Sequence, residues 1–183
     1  MFVETFVISI LIAVLRKGSL KNLEKTRIKA FYLFIIGLLI QYLPFTFRLA
    51  GLKSANLFTD KYYKYFYLVS FLFVLTCLLL NIGKRSIQLI FVGTLLNLIV
   101  IFANGGSMPV SVDGLRFSGF PENRLSSDRL DLTHILMGES TKLGFLSDII
   151  PVPKPYPFPK MLSIGDLLIV TGVFLFFQEE MVN

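Results

Sequence analysis

Tryptophan is absent from the 183 residues, and Cys77 and His134 are each the sole residue of their type. One cysteine excludes an intrachain disulfide and any cysteine-rich zinc or iron–sulfur site, and one histidine excludes a haem held by two histidines of this chain. Charge is scarce as well. Asp, Glu, Lys and Arg make up 16% of the chain, against about 25% in soluble domains. With 54% hydrophobic residues and a mean hydropathy of +0.70, the composition excludes an ordinary soluble domain and leaves no room for a large catalytic module outside a membrane. No H-E-x-x-H, G-x-S-x-G, phosphate-binding loop or G-x-G-x-x-G occurs, and no motif names a cofactor. The net charge of +6 does not point to nucleic acid, because the basic residues fall largely in loops beside apolar runs, where they set orientation and meet lipid phosphates.

What is present is a set of apolar runs. They predict an all-α integral membrane protein, one membrane domain over 1–183, with transmembrane helices at about 2–15, 30–47, 62–82, 87–103 and 164–177. The first run carries Glu4 and is followed, not preceded, by Arg16, Lys17, Lys21, Lys25, Arg27 and Lys29, the reverse of a cleaved signal peptide. Pro44 predicts a bend or an early finish in the second helix. Tyr62, Tyr63, Tyr65, Phe66 and Tyr67 resemble an interfacial aromatic belt at the start of the third. Residues 83–86 are too short a link for anything but antiparallel neighbours. The dense basic first loop predicts the N-terminus outside, the C-terminus in the cytoplasm and residues 104–163 outside.

That last segment, about 60 positions long, is apolar-rich where a linker of such length would be polar. It reads as an extracytoplasmic cap between the fourth and fifth helices. Ser127 or Asp128 is placed to start a short helix bearing Leu132, Ile135 and Leu136 on one face. The alternating Pro151, Pro153, Pro155, Pro157 and Pro159 predict an extended strap into the last helix.

Three stretches, NGGSMPV at 104–110, HILMGESTKLGFLSDIIPVP at 134–153 and SIGDLLIVTGVFLFFQEEM at 163–181, resemble a family of small bacterial integral membrane proteins known only as a domain of unknown function. The resemblance covers most of the chain. It implies an architecture in the bacterial cytoplasmic membrane and implies no activity.

Several polar residues are candidates for chemistry, each with a plainer role beside it. Asn104, Gly105 and Gly106 either cap the fourth helix or open a backbone anion nest as Met108-Pro109-Val110 dips back. Gly93, Asn97 and Asn104 lie near one face of that helix, as a polar stripe or as interhelix glue. Ser163 and Asp166 form an S-x-x-D capping box, or Asp166 faces an outer cavity as a cation or proton ligand. His134 with Asp131, Glu139 or Asp148 pins the cap, acts as a general base or joins carboxylates around a metal. Ser107, Ser111 and Thr141 are conceivable nucleophiles that nothing ties to a base. Cys77 reads as a packing residue.

The reading that absorbs most of these is binding or transport of a small ligand, an ion or a lipid headgroup at an outer polar site built from Asn97, Asn104, Gly105, Gly106, Asp148 and Asp166. The alternatives are an accessory or sensory subunit of a membrane complex, and an enzyme acting on lipid headgroups through His134. Expected partners are the bilayer and either a second copy, docked through Gly165 and Gly172, or another membrane protein. Single cysteines at Ser19 and Ser126 in a Cys77→Ser background test the orientation. Impermeant maleimide is expected to label position 126 on intact cells and position 19 only after permeabilisation; the opposite pattern reverses the topology.

Overall fold

The computed structural model describes residues 2–51, 53–121, 130 and 133–182, with side chains for all of these except Phe2, Arg48 and 53–60. α1 (Phe2–Leu15) is apolar nearly throughout and stops where Arg16 and Lys17 begin, Lys17 turning the chain at φ +66°. A one-turn helix, α2 (Leu20–Leu23), follows with Ser19 as its N-cap. α3 (Phe31–Leu49) passes through Pro44 instead of finishing there: the missing N–H removes one ladder bond, and the helix continues to Leu49. α4 (Lys53–Leu80) begins well before the expected Tyr62, because its first turns are polar and hydropathy does not register them. α5 (Arg85–Ala103) comes after a four-residue link, and α7 (Ile164–Val182) continues past the expected Phe177 through Gln178, Glu179 and Glu180.

The cap is not helical in the way expected, so the chain is mostly helical and not all-α. It contains β1 (Met108–Val110), α6 (Val112–Phe117), β2 (His134–Leu136), a 3₁₀ turn at Gly144–Leu146, β3 (Ile150–Val152) and β4 (Lys160–Leu162). β1 pairs in parallel with β2, Met108 opposite His134, and Val110 bridges in parallel to Asp148 on its other side. The helix expected to carry Ile135 and Leu136 is therefore replaced by strand, where the β2 backbone pairs with β1; its proposed caps, Ser127 and Asp128, lie outside the described residues. The proline strap is a hairpin: β3 and β4 run antiparallel, Ile150 opposite Leu162, so the chain reverses before entering α7.

The five long helices form two leaves. α5 and α7 are the closest pair, and α1 packs on α7. α3 packs on α4, and α4 joins the leaves by packing on α5. The α5–α7 contact is made by small residues. A Cβ on Gly165 would stand 2.7 Å from the Gly93 carbonyl oxygen, one on Gly93 would stand 2.9 Å from Ile169 Cγ1, and one on Gly172 would stand 2.7 Å from the Ser86 carbonyl oxygen. The surface offered by Gly165 and Gly172, which the sequence leaves open between a second copy and packing within the chain, is taken up by α5. One apolar cluster, Ala13, Phe177 and Met181, fastens α1 to α7; another, Val100, Ile101 and Met108, seats the cap on α5.

Polar bonds close the end of the bundle opposite the cap. Ser19 N–H and Asn22 Nδ2 both donate to the Met181 carbonyl, at 2.9 Å each. Arg16 Nη1 donates to Gln178 Oε1 at 3.0 Å, Thr26 Oγ1 to Glu180 at 2.7 Å, and Ser86 Oγ to Glu179 at 2.6 Å, while Lys84 pairs with Glu180. These partners explain why α7 runs on through its polar tail. Two helical segments, Lys61–Leu80 and Arg85–Ala103, are long and apolar enough to cross a membrane, and α1 and Phe31–Phe47 are shorter apolar helices.

Gly165→Leu is expected to lower stability by about 1–3 kcal/mol through overpacking, read as a lower thermal midpoint in mild detergent. Gly83→Ala, where a Cβ meets nothing within 4 Å, is the matched control and is expected to stay within about 0.5 kcal/mol of wild type.

Candidate functional site

Between the leaves lies a chamber of about 830 Å³, inside the range of roughly 300–1,000 Å³ typical of small-molecule sites. Its lining reaches from Ile87 to Ile101 on α5, about 21 Å at the 1.5 Å helical rise. The walls are mainly apolar, with Phe34, Leu38, Phe71, Val74, Ile90, Ile169 and Val173, and carry Gln41, Ser70, Asn81 and Thr94 among them; the cap end is Asn97, Thr133, His134, Asp148, Lys160 and Asp166. Among the described residues α1 and α3 do not pack closely, and the leaves are joined chiefly along α4–α5.

The polar roof is positioned from two directions. On α7 the capping box forms in full: Ser163 N–H donates to Asp166 Oδ2 at 3.0 Å, and Asp166 N–H to Ser163 Oγ at 2.9 Å. α5 joins it, Asn97 Nδ2 donating to Asp166 Oδ1 at 3.0 Å while Ser163 Oγ donates to Asn97 Oδ1 at 2.9 Å. Cap and interhelix glue are therefore one network, and it faces the chamber. From the cap, the parallel register turns His134 and Asp148 to the same face of β1. His134 Nε2 stands 3.6 Å from Asp148 Oδ2, Asp148 is buried, and the Thr133 hydroxyl lies 2.7 Å from His134 Nδ1.

Other expected site residues lie elsewhere. Asn104 Nδ2 donates to the carbonyls of Val100 and Lys142, and its Oδ1 accepts from Lys142 N–H, so its amide staples the cap to α5. Gly105 (φ +72°) and Gly106 (φ +98°) end that helix, their N–H groups bonding the Phe102 and Ile101 carbonyls in a Schellman arrangement. Those N–H groups are spent, and Met108-Pro109-Val110 is a buried strand, so no anion nest is presented there. Glu139 is exposed in a turn and does not line the chamber; Asp131 lies outside the described residues. Ser111 caps α6 and Thr141 accepts from Gly138 N–H, and neither lines the chamber. Among the described residues no group of three or more His, Cys, Asp or Glu could hold a metal ion.

Sequence reasoning missed Thr133, Lys160 and Glu4. Lys160 on β4 forms an ion pair with Glu4 on α1 and lies over the Tyr156 ring, 5.0 Å from its centroid. Partial burial pulls the Lys160 pKa down, and the hydrogen bond and field of Glu4, together with the other polar groups around it such as Tyr156, push it up by more, leaving it above its ordinary 10.5. Nothing local in the sequence pairs residues so far apart.

A mostly helical protein with apolar helices and a polar-roofed interhelical chamber is the class this fold defines. The chain belongs to a family of unknown function (DUF5317), whose model matches residues 25–178. It is also 31% identical over 180 residues to an uncharacterised protein of Thermotoga maritima, covering 97% of this chain and 90% of that protein. No solved structure matches it.

Because the Lys160 pKa is raised on folding, its pairing stabilises the protein below about pH 10.5 and is lost as pH rises through the folded value. The thermal-midpoint difference between wild type and Lys160→Met is therefore expected to be present at pH 8 and to shrink above pH 11. A constant difference across that range would assign the effect to packing alone.

Proposed function

We propose that the chain is a multi-pass membrane protein, its five long helices crossing the bilayer with the N-terminus and cap outside, and that it binds one amphiphilic molecule in the chamber. The helix order supports the crossing: α1, α4 and α7 run from the cap toward the polar belt, and α3 and α5 run back. α1 and α3 expose large apolar side chains, Leu15 at 83% and Leu39 at 66% among them, a surface suited to lipid and costly in water. The exposed Lys17, Lys21, Lys25, Arg27, Lys29 and Arg85 crowd the belt end, as the positive-inside rule asks of a cytoplasmic face.

The observation that carries the binding reading is the chamber's division of chemistry. An apolar shaft some 20 Å long ends in a hydrogen-bonded polar roof, and the loosely packed α1–α3 side gives a lipid-like molecule a lateral way in. The test is native mass spectrometry of the full chain released from mild detergent. One retained amphiphile per chain is expected in wild type, with loss in Leu38→Trp, which fills the shaft; a bare wild-type chain, or unchanged retention in the variant, contradicts the reading.

A second reading rests on Thr133, His134 and Asp148, which stand in the order nucleophile, base and orienting carboxylate. In it the Thr133 hydroxyl attacks an ester carbonyl of the bound molecule. His134 Nδ1 takes the hydroxyl proton and returns it to the departing alcohol, and water then releases the acyl group from Thr133. A fluorophosphonate adduct on Thr133 that disappears in His134→Ala is expected from this reading, and an unlabelled wild-type chain removes it.

A further inference from the structure

We propose that the molecule held in the chamber carries a cationic head of the primary-amine or ammonium type. This rests on the amphiphile-binding reading and adds the sign of the head group, which follows from how each roof charge is answered. Lys160 forms an ion pair with Glu4. Asp148 faces His134 at 3.6 Å, a pair whose net charge is zero or minus one.

Asp166 is different. Its oxygens accept from the Asn97 amide and the Ser163 N–H, each at 3.0 Å, and among the described residues no Lys, Arg or His forms an ion pair with it. A carboxylate has about four acceptor positions, so these two bonds fix its orientation and leave capacity unused. The bonds are to neutral donors, so the acceptor positions left over face the top of a largely apolar shaft with no cation paired to them among the described residues.

An anionic head would meet this carboxylate, and an uncharged head would leave its charge unanswered. A bare metal ion does not suit either, since the described residues gather no three-ligand group and a metal would leave the shaft unfilled. An amine with an alkyl tail satisfies both halves: its N–H groups supply charge-assisted bonds to Asp166, and its tail covers the shaft.

The experiment titrates full-length protein in a mild non-ionic detergent with dodecylamine, dodecanol and dodecanoate, counting bound molecules by native mass spectrometry. Dodecylamine is expected to bind about tenfold or more tighter than dodecanol, with dodecanoate weakest. Asp166→Asn, which keeps the side chain's size and an oxygen for the Ser163 N–H, is expected to abolish the preference for dodecylamine over dodecanol. The wild-type ranking alone decides if that variant does not fold. Equal binding of all three, or tighter dodecanoate, overturns the cationic head and leaves the chamber reading standing; binding of none overturns both.

Discussion

The backbone contact between α5 and α7, made where Gly93 and Gly165 face each other, is the constraint on which the rest of the arrangement hangs. Only two residues without side chains let the helices approach until carbonyl oxygens lie where a Cβ would be. That approach brings Asn97 within reach of Ser163 and Asp166, so the capping box at the start of α7 is closed by an amide from α5. α7 in turn carries α1 through Ala13, Phe177 and Met181, and α5 carries the cap through Val100, Ile101 and Met108. Asn97, Ser163 and Asp166 therefore take their places from one small-residue contact.

The same logic accounts for the chamber. Each leaf is internally well bonded: Gly37 brings α3 against α4, where a Cβ would lie 2.9 Å from the Ser70 carbonyl oxygen, and Asn81 ties the start of α3 to the end of α4 through the backbone of Lys29. Between the leaves, among the described residues, α4 and α5 make the main join. The facing surfaces are aromatic and branched aliphatic side chains with few polar groups among them, so nothing directional draws α3 onto α7. Apolar surface of that kind is favourably covered by hydrocarbon, and in a bilayer hydrocarbon is at hand on the α1–α3 side.

How far the sequence speaks depends on whether the deciding partner is near or far along the chain. The helical runs are legible because apolar length is local, and so are the Schellman end at Asn104-Gly105-Gly106 and the Ser163–Asp166 box, whose partners lie within a few residues. The end of α7 is not legible at Phe177, since Gln178, Glu179 and Glu180 stay helical by bonding the α1–α3 connection, Lys84 and the first turn of α5. The strands of the cap are three residues each and owe their form to pairing between 108 and 134 and between 150 and 162, which no local pattern encodes. Of the site, Asn97, His134, Asp148 and Asp166 were recognisable by residue type. Asn104 was recognisable and assigned to a ligand, where its amide holds the cap; Lys160 and Glu4 meet only through the fold.

A density map of the full chain in a lipid nanodisc, at a resolution that shows acyl chains, tests the account at its centre. The account expects two leaves joined at α4–α5 and an elongated density between them, reaching from the level of Ile87 to Asp166. A closed bundle, with α3 packed against α7 and no space between the leaves, would contradict it.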